Sequence, residues 1–237
     1  MDVEKSRAVR RSYEDGCAAA HALDLVGERW ALLIIRELIL GPRRFTDLRR
    51  SLASISPNVL TQRLAELETA GVIEKRDLPS PAASRVYALT AWGAELEAVL
   101  LELLRWGVRS PDFERGQPLT ADAMALSLKA TFNPDLAAGI NCRVTLLMHR
   151  NAYHVTIAND RITVTRGTPP CHPAIIDTWA QATLDAEPVH VLRLVYGKRP
   201  LQDAVQSGHC SVDGDTDVLL AFFSCFEVAP AIQVPKR

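Results

Sequence analysis

Apolar residues recur every three or four positions in two successive segments of the chain, and this spacing predicts two helices. The first helix begins near Phe45. The second begins after Ser56, whose hydroxyl can cap it, with Pro57 at the first helical position, and it ends at Gly71. The apolar positions of the two helices are Phe45, Leu48, Leu52, Leu60, Leu64 and Leu67.

The residues from Val72 to Thr90 predict a β-hairpin. Val72 and Ile73 lead into a charged stretch, and residues 85–90 alternate between polar and apolar side chains. A proline-rich tip, residues 78–84, separates the two strands. Helix, turn, helix and hairpin in this order form a winged helix-turn-helix, a fold that places its second helix in the major groove of DNA.

Polar and basic side chains occupy the outward sides of these elements. Amides and hydroxyls on the second helix can read base edges, while arginines on the first helix and the hairpin can reach phosphates or a minor groove. The alternative interpretation is a small α+β domain whose arginines are simply solvated. The expected DNA contacts are Arg43, Arg44, Ser56, Asn58, Thr61, Gln62, Arg63, Arg76 and Arg85.

The charge of the chain is unevenly distributed. Its formal net charge is −1, but residues 43–63 contain five arginines and one acid, Asp47. Because salt screens charges beyond a Debye length of about 8 to 10 Å, this local excess matters more for phosphate binding than the net charge does. We therefore expect modest, strongly salt-dependent binding to non-specific DNA.

A further amphipathic segment, from Ala91 to Trp106, predicts one long helix with more apolar surface than a small winged domain can cover. One interpretation is a homodimer, in which a second copy covers this surface and two recognition helices lie about 34 Å apart on a palindromic operator. The other is that the apolar stripe packs against the C-terminal half of its own chain. The expected dimer contacts are Leu96, Val99, Leu100 and Leu103.

Alternating Val, Ile and Thr residues in three segments between 143 and 166 predict an antiparallel meander. A helix from Ala121 to Phe132 precedes it, and residues 175–184 fit either a helix or a fourth strand. An antiparallel sheet with helices on one face makes a layered α+β domain. The remaining predicted elements are helices at 189–196, 201–205 and 217–226 and a short strand at 210–212.

These elements divide the 237 residues into four segments, and the fold class is α+β. Residues 1–12 form a basic arm that either contacts the DNA backbone or stays disordered. Residues 13–109 form the DNA-binding and dimerisation domain. The polar segment 110–118, with its Pro and Gly residues, is the expected linker, and residues 119–237 form the second domain.

The N-terminal part resembles the HxlR-type branch of winged-helix regulators, which is related to the MarR group. The resemblance implies a homodimeric transcription regulator, with the helix from Ser56 in the major groove and the hairpin near Arg85 as the wing. At the tip, residues 79–84, the chain departs from the family's usual proline-rich stretch. The matching residues are Cys17, Leu25–Trp30, Leu32–Leu38, Arg44–Leu48, Ile55–Ser56, Leu60–Leu64, Leu67, Gly71–Val72 and Tyr87–Thr90.

The C-terminal part resembles the sterol-carrier-protein type 2 fold. The matching residues are the meander, Leu194–Gly197, Ala204–Gly208 and Ser211–Asp215 before the final helix. The resemblance implies a hydrophobic tunnel between sheet and helices, which in this chain would bind a small hydrophobic effector. It also leaves open a carrier or sensor of lipid-like ligands with weak DNA binding.

Cys17 offers a second hypothesis, because in several relatives of this type a cysteine near the first helix senses electrophiles or oxidants. Glu14 and Asp15 lie close in sequence and would raise the pKa of its thiol. We therefore expect a buried, inert cysteine and no effect of oxidants on DNA binding. The alternative is a thiol-redox regulator.

Catalysis and metal binding are not indicated by the sequence. The five cysteines are scattered without CxxC spacing, and the histidines and aspartates of the second half match no catalytic or metal-binding motif. No apolar run approaches the length of a membrane span, and residues 1–7 have no signal core, so we expect a cytoplasmic protein.

The sequence therefore predicts a ligand-responsive transcriptional regulator, a repressor, that acts on double-stranded operator DNA without a cofactor or a metal. An effector bound in residues 119–237 would reposition the helix from Ala91 to Trp106 and change the spacing of the two recognition helices. A coupling of about 1 to 3 kcal/mol is typical of allosteric proteins and would release the DNA.

Overall fold

The computed structural model describes residues 12–77, 84–114, 116–149, 151–167, 180–197 and 199–233. The chain forms two compact units, Met1–Leu96 and Glu97–Arg237. Most of the helix that the sequence assigned to the DNA-binding domain therefore belongs to the second unit, as does the expected linker at 110–118. The tip of the hairpin and most of the basic arm lie outside the described residues.

The first unit follows the order helix, helix, helix, helix, strand, strand, helix. Side-chain caps fix two of the helix starts: the Ser56 hydroxyl accepts from the Val59 N–H at 3.3 Å, and the Thr90 hydroxyl accepts from the Gly93 N–H at 3.0 Å. The elements are α1 Ala18–Val26, α2 Ala31–Leu38, α3 Phe45–Ser51, α4 Pro57–Thr69, β1 Ile73–Asp77, β2 Arg85–Leu89 and α5 Ala91–Ala94.

The core of this unit is a set of aliphatic side chains from α2, α3, α4 and the hairpin. The strands β1 and β2 pair antiparallel, as the alternation predicted. Arg43 and Tyr87 exchange two backbone hydrogen bonds of 2.9 and 2.8 Å, so the residues before α3 are tied to β2. The fully buried core side chains include Ile34, Ile35, Leu38, Leu48, Leu60, Leu64, Leu67 and Ile73.

The prediction of one helix from Ala91 to Trp106 is wrong, because α5 ends at Ala94 and a separate helix, α6, covers Leu96–Gly107. At the break, the Glu95 N–H bonds to the carbonyl of Trp92, three residues back, which tightens the turn. Gly93 packs so closely on Val72, the residue before β1, that a Cβ there would lie 2.0 Å from the Val72 carbonyl oxygen. Only glycine permits this approach.

The second unit contains the rest of the chain from Glu97. The elements after α6 are α7 Ala121–Thr131, β3 Cys142–Met148, β4 Asn151–Ala158, β5 Arg161–Gly167, β6 Ala182–Ala186, α8 Pro188–Val195, α9 Leu201–Gln206, β7 Cys210–Gly214 and α10 Thr216–Ser224. Its sheet has the strand order β5-β4-β3-β6-β7.

The predicted meander β3-β4-β5 is confirmed, but the expectation of a fully antiparallel sheet is wrong. β6 pairs parallel to β3, with Val144 opposite Ala182 and Leu146 opposite Leu184. A parallel neighbour requires a crossover, which the chain makes between β5 and β6. The segment 175–184 therefore ends in a strand, while its residues 175–179 lie outside the described residues.

Helices cover the apolar side of this sheet. Val144, Leu146, Tyr153, Val155 and Leu184 alternate along three strands and are fully buried. Helix α7 contacts β5, helix α10 contacts β3 and β6, and helix α8 contacts both of these helices. The three helices thus form one layer against the sheet. No helix in the described ranges is long and apolar enough to span a membrane.

A buried carboxylate holds α7 to the sheet. Asp122 is fully buried, and its Oδ1 accepts from the Tyr153 hydroxyl at 2.8 Å and from the Arg166 Nη2 and Nε atoms at 2.9 and 3.2 Å. A buried charge is tolerated only when it is paired and hydrogen-bonded, and these two side chains meet that requirement.

We expect Asp122→Ala to lower the free energy of unfolding by about 3 to 5 kcal/mol, because it removes the carboxylate that neutralises the buried Arg166 guanidinium. Urea denaturation of the full chain measures the change. Asp135→Ala, at an exposed position just after α7, is the matched control and should change stability by less than about 0.5 kcal/mol. Equal effects of the two substitutions would contradict this account.

Candidate nucleic-acid interface

Helix α4 has one buried side and one exposed side. Leu60, Leu64 and Leu67 are buried, as the spacing predicted, and this leaves the opposite side in solvent. The exposed residues at the N-terminal half of that side include Asn58, Thr61 and Gln62. These side chains carry amide and hydroxyl groups, which are the groups that read base edges.

Two of these polar side chains already have partners within the helix. The Thr61 hydroxyl donates to the Pro57 carbonyl at 2.9 Å, and the Gln62 Nε2 donates to Glu66 Oε1 at 2.9 Å. Ser56 uses its hydroxyl as the N-cap of the helix, so the structure gives this predicted contact residue a structural role. The helix start is therefore fixed in position and its side-chain rotamers are constrained.

Arg63 lies away from the exposed side that the sequence interpretation gave it. Its side chain is only 15% exposed, its Nη2 lies 3.3 Å from Glu28 Oε2, and its Nη1 forms an ion pair with Glu66. Glu28 belongs to the connection between α1 and α2, thirty-five residues earlier in the chain. The side chain thus ties α4 to this connection.

Arginines lie at both ends of α3. Arg44 is the N-cap residue of α3 and is exposed, and the structure also exposes Arg49 and Arg50 in the last turn. Arg50 lies 3.7 Å from Asp47, a distance typical of a weak surface pair. Arg43, in contrast, is half-buried, with its backbone paired to β2. Exposed arginines of this kind are suited to phosphate contacts.

The basic side chains of the hairpin form ion pairs with nearby acids. Arg76 Nη2 lies 2.5 Å from Glu74 Oε1, and Arg85 Nε lies 3.2 Å from Asp77 Oδ1. All four side chains are about half exposed or more. Exposed pairs of this type are worth about 0 to 1 kcal/mol, so phosphate oxygens can replace the carboxylates at little cost.

Lys75 of the hairpin faces α4. Its Nζ lies 2.5 Å from Glu68 Oε2 and 5.9 Å from the centre of the Tyr87 ring. The hydrogen bond that the Lys75 ammonium donates to Glu68 raises the pKa of Lys75, so the ammonium stays charged. This contact fixes the angle between the end of α4 and the hairpin.

Exposed apolar side chains gather on α6. Of the four residues predicted at a dimer contact, Val99 and Leu103 are 49% and 42% exposed, whereas Leu100 is buried and Leu96 is half-buried. Trp106, which the sequence places at the end of this apolar stripe but not among the four expected contacts, is 75% exposed on the same helix. A large apolar side chain in solvent at the end of an apolar stripe was the signal for it.

Helix α1 is also largely exposed although its sequence is mostly apolar. Val26 is its one buried residue, while Leu23 and the preceding Tyr13 are exposed. Helical spacing of apolar residues alone does not reveal whether the rest of the unit covers a helix. An exposed apolar helix marks an interaction surface.

The structure corrects both expectations for Cys17. The residue is exposed at the start of α1, and hydrogen bonds from the backbone N–H groups of Ala19 and Ala20 lower the pKa of its thiol. Burial has the opposite effect on other cysteines: it raises the pKa of Cys142 to about 11. Cys171 lies outside the described residues. Cys17 is thus an accessible thiol with an enlarged thiolate fraction.

Several titratable side chains of the second unit lie close to one another. Within the described ranges, no three His, Cys, Asp or Glu side chains come together as metal ligands. The centroids of the His190 and His209 rings lie 4.4 Å apart with the rings tilted by 44°. Burial, and then repulsion from His209, lower the pKa of His190. His149 pairs with Glu187 at 2.7 Å on the surface.

Similar proteins match the region that contains these elements. The family model described as HxlR-like helix-turn-helix matches residues 25–114. The HTH-type transcriptional regulator YodB of Bacillus subtilis is 39% identical over 85 residues, which are 36% of this chain and 76% of YodB. The uncharacterized HTH-type transcriptional regulator Rv3095 of Mycobacterium tuberculosis is 37% identical over 105 residues, 44% of this chain and 66% of that protein.

A solved structure of the redox regulator HypR in its oxidized form is 31% identical and covers 41% of this chain and 100% of HypR, with a TM-score of 0.38. All of these matches leave most of the second unit uncovered. The identity to YodB over three quarters of its length decides the assignment. The chain belongs to the HxlR-like helix-turn-helix family of transcriptional regulators.

Proposed function

We propose that this protein is a homodimeric, ligand-responsive transcriptional regulator that binds operator DNA through α4 and the β1–β2 hairpin. The observation that carries the proposal is the exposed polar side of α4, held in place by its buried leucines and flanked by exposed arginines. A protein seated on a promoter excludes RNA polymerase, so we propose that it represses transcription. Membership of a family of transcriptional regulators supports the DNA-binding part.

In the proposed complex, α4 enters the major groove with its N-terminal half toward the bases. Asn58, Thr61 and Gln62 face the base edges. Arg44, at the start of α3, contacts the phosphate backbone beside the groove. Arg76 and Arg85 of the hairpin exchange their acidic partners for phosphates. Arg43 and Arg63 contribute by positioning β2 and α4, and Ser56 contributes by capping α4.

The proposed dimer buries the exposed apolar side of α6 against a second copy. Val99, Leu103 and Trp106 lie three to four residues apart, which puts them on one side of the helix. Leu100 is buried and Leu96 is half-buried, so both lie closer to the interior of the protomer than these three side chains do. Two copies of α4 would then address two half-sites of one operator.

The second unit is suited to carry an effector response because it holds α6 directly. Arg105 of α6 donates from Nε to the carbonyl of Ala130 at 2.8 Å, near the end of α7, and Glu97 of α6 forms an ion pair with Lys129. A movement of α7 is therefore transmitted to α6. This linkage supports the proposal that an effector acts through α6 on the spacing of the recognition helices.

For the effector itself, we propose a small hydrophobic molecule bound between the sheet and its helix layer. The mixed five-stranded sheet with α7, α8 and α10 packed on its apolar side is consistent with the sterol-carrier-protein type 2 resemblance. Native mass spectrometry of the purified protein tests this part, because a co-purified apolar molecule would support the site.

A thiol response at Cys17 is a second candidate function, favoured by the exposure of this residue and its lowered pKa. The thiolate sulfur attacks an electrophile such as a maleimide: a C–S bond forms, the C=C π bond breaks, and the neighbouring carbon takes up a proton from solvent in place of the one that the thiol lost. An adduct at the start of α1 would alter the exposed apolar surface of that helix. HypR, a similar protein, is described as a redox regulator.

We expect Arg44→Ala to weaken binding to the operator and to random duplex DNA by the same factor, because a phosphate contact carries no sequence information. The slope of log K against log salt should become less negative by about 0.9. Fluorescence anisotropy at several salt concentrations measures both effects. Arg161→Ala, an exposed position on β5, is the control. A loss on the operator alone would contradict the assignment.

We expect Leu103→Glu to convert the dimer to monomers, because it places a charge in the apolar contact. Sedimentation velocity measures the mass, and operator affinity should fall by at least about 10-fold since one copy loses the second half-site. Leu220→Glu, at a similarly exposed leucine on α10, is the matched control and should stay dimeric. A wild-type protein that sediments as a monomer at micromolar concentration would refute the dimer.

We expect N-ethylmaleimide at pH 7 to modify Cys17 well before Cys142, Cys210 and Cys225, and to weaken operator binding as it does so. The physical reason is the difference in exposure and in thiolate fraction, since burial raises the pKa of the other three thiols. Peptide mass spectrometry follows the modification and anisotropy follows binding. Retention of full binding after complete modification of Cys17 would rule out this candidate.

A further inference from the structure

Helix α4 contains a single basic residue, and its side chain does not lie on the exposed side of the helix. The sequence of residues 57–69 has Arg63 and no lysine. At about 100° per residue, Asn58, Thr61, Gln62, Ala65 and Thr69 fall within an arc of about 100°. Arg63 lies about 100° beyond the edge of that arc, paired with Glu28 and Glu66. The exposed arc therefore has no cation.

The contact between Gln62 and Glu66 fixes which way the glutamine amide points. A carboxylate only accepts hydrogen bonds, so the amide nitrogen of Gln62 faces Glu66, at 2.9 Å. This bond uses one of the two N–H donors. The second N–H and the carbonyl oxygen remain as an adjacent donor and acceptor. Adenine presents the complementary pair, the N7 acceptor and the N6 donor, in the major groove.

Thr61 and its neighbours complete the same preference. The Thr61 hydroxyl donates its hydrogen to the Pro57 carbonyl, so it can only accept from a base, while its methyl group stays available for contact. Ala65 adds a second methyl group one turn along. Methyl groups pack against the C5-methyl of thymine, and Asn58 offers another amide with a donor and an acceptor. Guanine is most often read by Arg or Lys, which this arc lacks.

We infer that α4 reads A·T base pairs, with Gln62 as the residue that specifies adenine at one position of each operator half-site. This inference rests on the proposed function, because it assumes that α4 lies in the major groove. The arginines of α3 and the hairpin supply affinity through phosphates and leave the sequence preference to α4. The partner is thus an operator whose half-site centres on A·T pairs.

The experiment is a selection of duplexes from a randomised library by the full-length protein, followed by affinity measurements. The selected half-site should have A·T pairs at the contacted positions, and replacing one contacted A·T pair by G·C should weaken binding by about 5- to 150-fold. Replacing that adenine by 7-deazaadenine, which lacks only the N7 acceptor, should weaken binding by about 2- to 10-fold.

Variants locate the preference on the helix. Gln62→Ala should bring the ratio of affinities between the A·T and the G·C duplex to about one at one base pair. The ratios at the other positions should not change. The ratio does not depend on the fraction of active protein, so partial misfolding does not imitate the result. Thr69→Ala, on the same arc but at the C-terminal end of α4, is the control that should keep every ratio.

The outcomes separate this inference from the proposed function. The assignment of adenine to Gln62 is overturned if the selected duplexes have guanine at the base pair where Gln62→Ala changes the affinity ratio. It is also overturned if Gln62→Ala leaves the ratio of affinities between the A·T and the G·C duplex unchanged at every position. In both cases operator binding stands. Enrichment of no duplex at all overturns the DNA-binding proposal, and the inference falls with it. An A·T preference that Gln62→Ala removes and Thr69→Ala keeps supports both.

Discussion

The burial of three leucines on α4 is the constraint on which the proposed interface depends. Leu60, Leu64 and Leu67 occupy one side of the helix and contact the core, so the rotation of α4 about its axis is fixed. A rotation of one residue would expose leucine and bury an amide, each at a cost of about 1 to 3 kcal/mol. The polar side is therefore outward because the leucines are inward, and Arg63 is held on the flank.

Acidic residues shape this basic surface as much as the arginines do. Glu28 and Glu66 hold Arg63, Glu68 holds Lys75, and the two hairpin arginines have carboxylates within 3.2 Å. The pairs on the exposed hairpin are weak and exchangeable, whereas the Arg63 pair is partly buried and stays closed more readily. The free protein therefore presents a smaller positive field than its arginine count indicates, and we expect this to keep non-specific binding to DNA modest.

Local patterns in the sequence were sufficient for the elements and for the outward side of α4, because spacing, caps and turn residues act within a few positions. Three features depended on distant residues and were missed: the pairing of Arg63 with Glu28, the parallel position of β6 beside β3, and the exposure of α1 with Cys17. Each is decided by what packs nearby in space. Helical or alternating periodicity carries no information about such packing. The break at Glu95 was missed for the same reason.

Helix α6 would link effector binding to DNA binding in the proposed function, because two of its sides have different surroundings. One side presents Val99, Leu103 and Trp106 to solvent, and another side is bonded to α7 through Arg105 and Glu97. Since α7 is itself bonded to the sheet through the buried Asp122, side-chain contacts connect α6 through α7 to the sheet. In the proposed response, a ligand that changes the packing of the layer would act on the apolar side of α6, the surface on which the spacing of two recognition helices would depend.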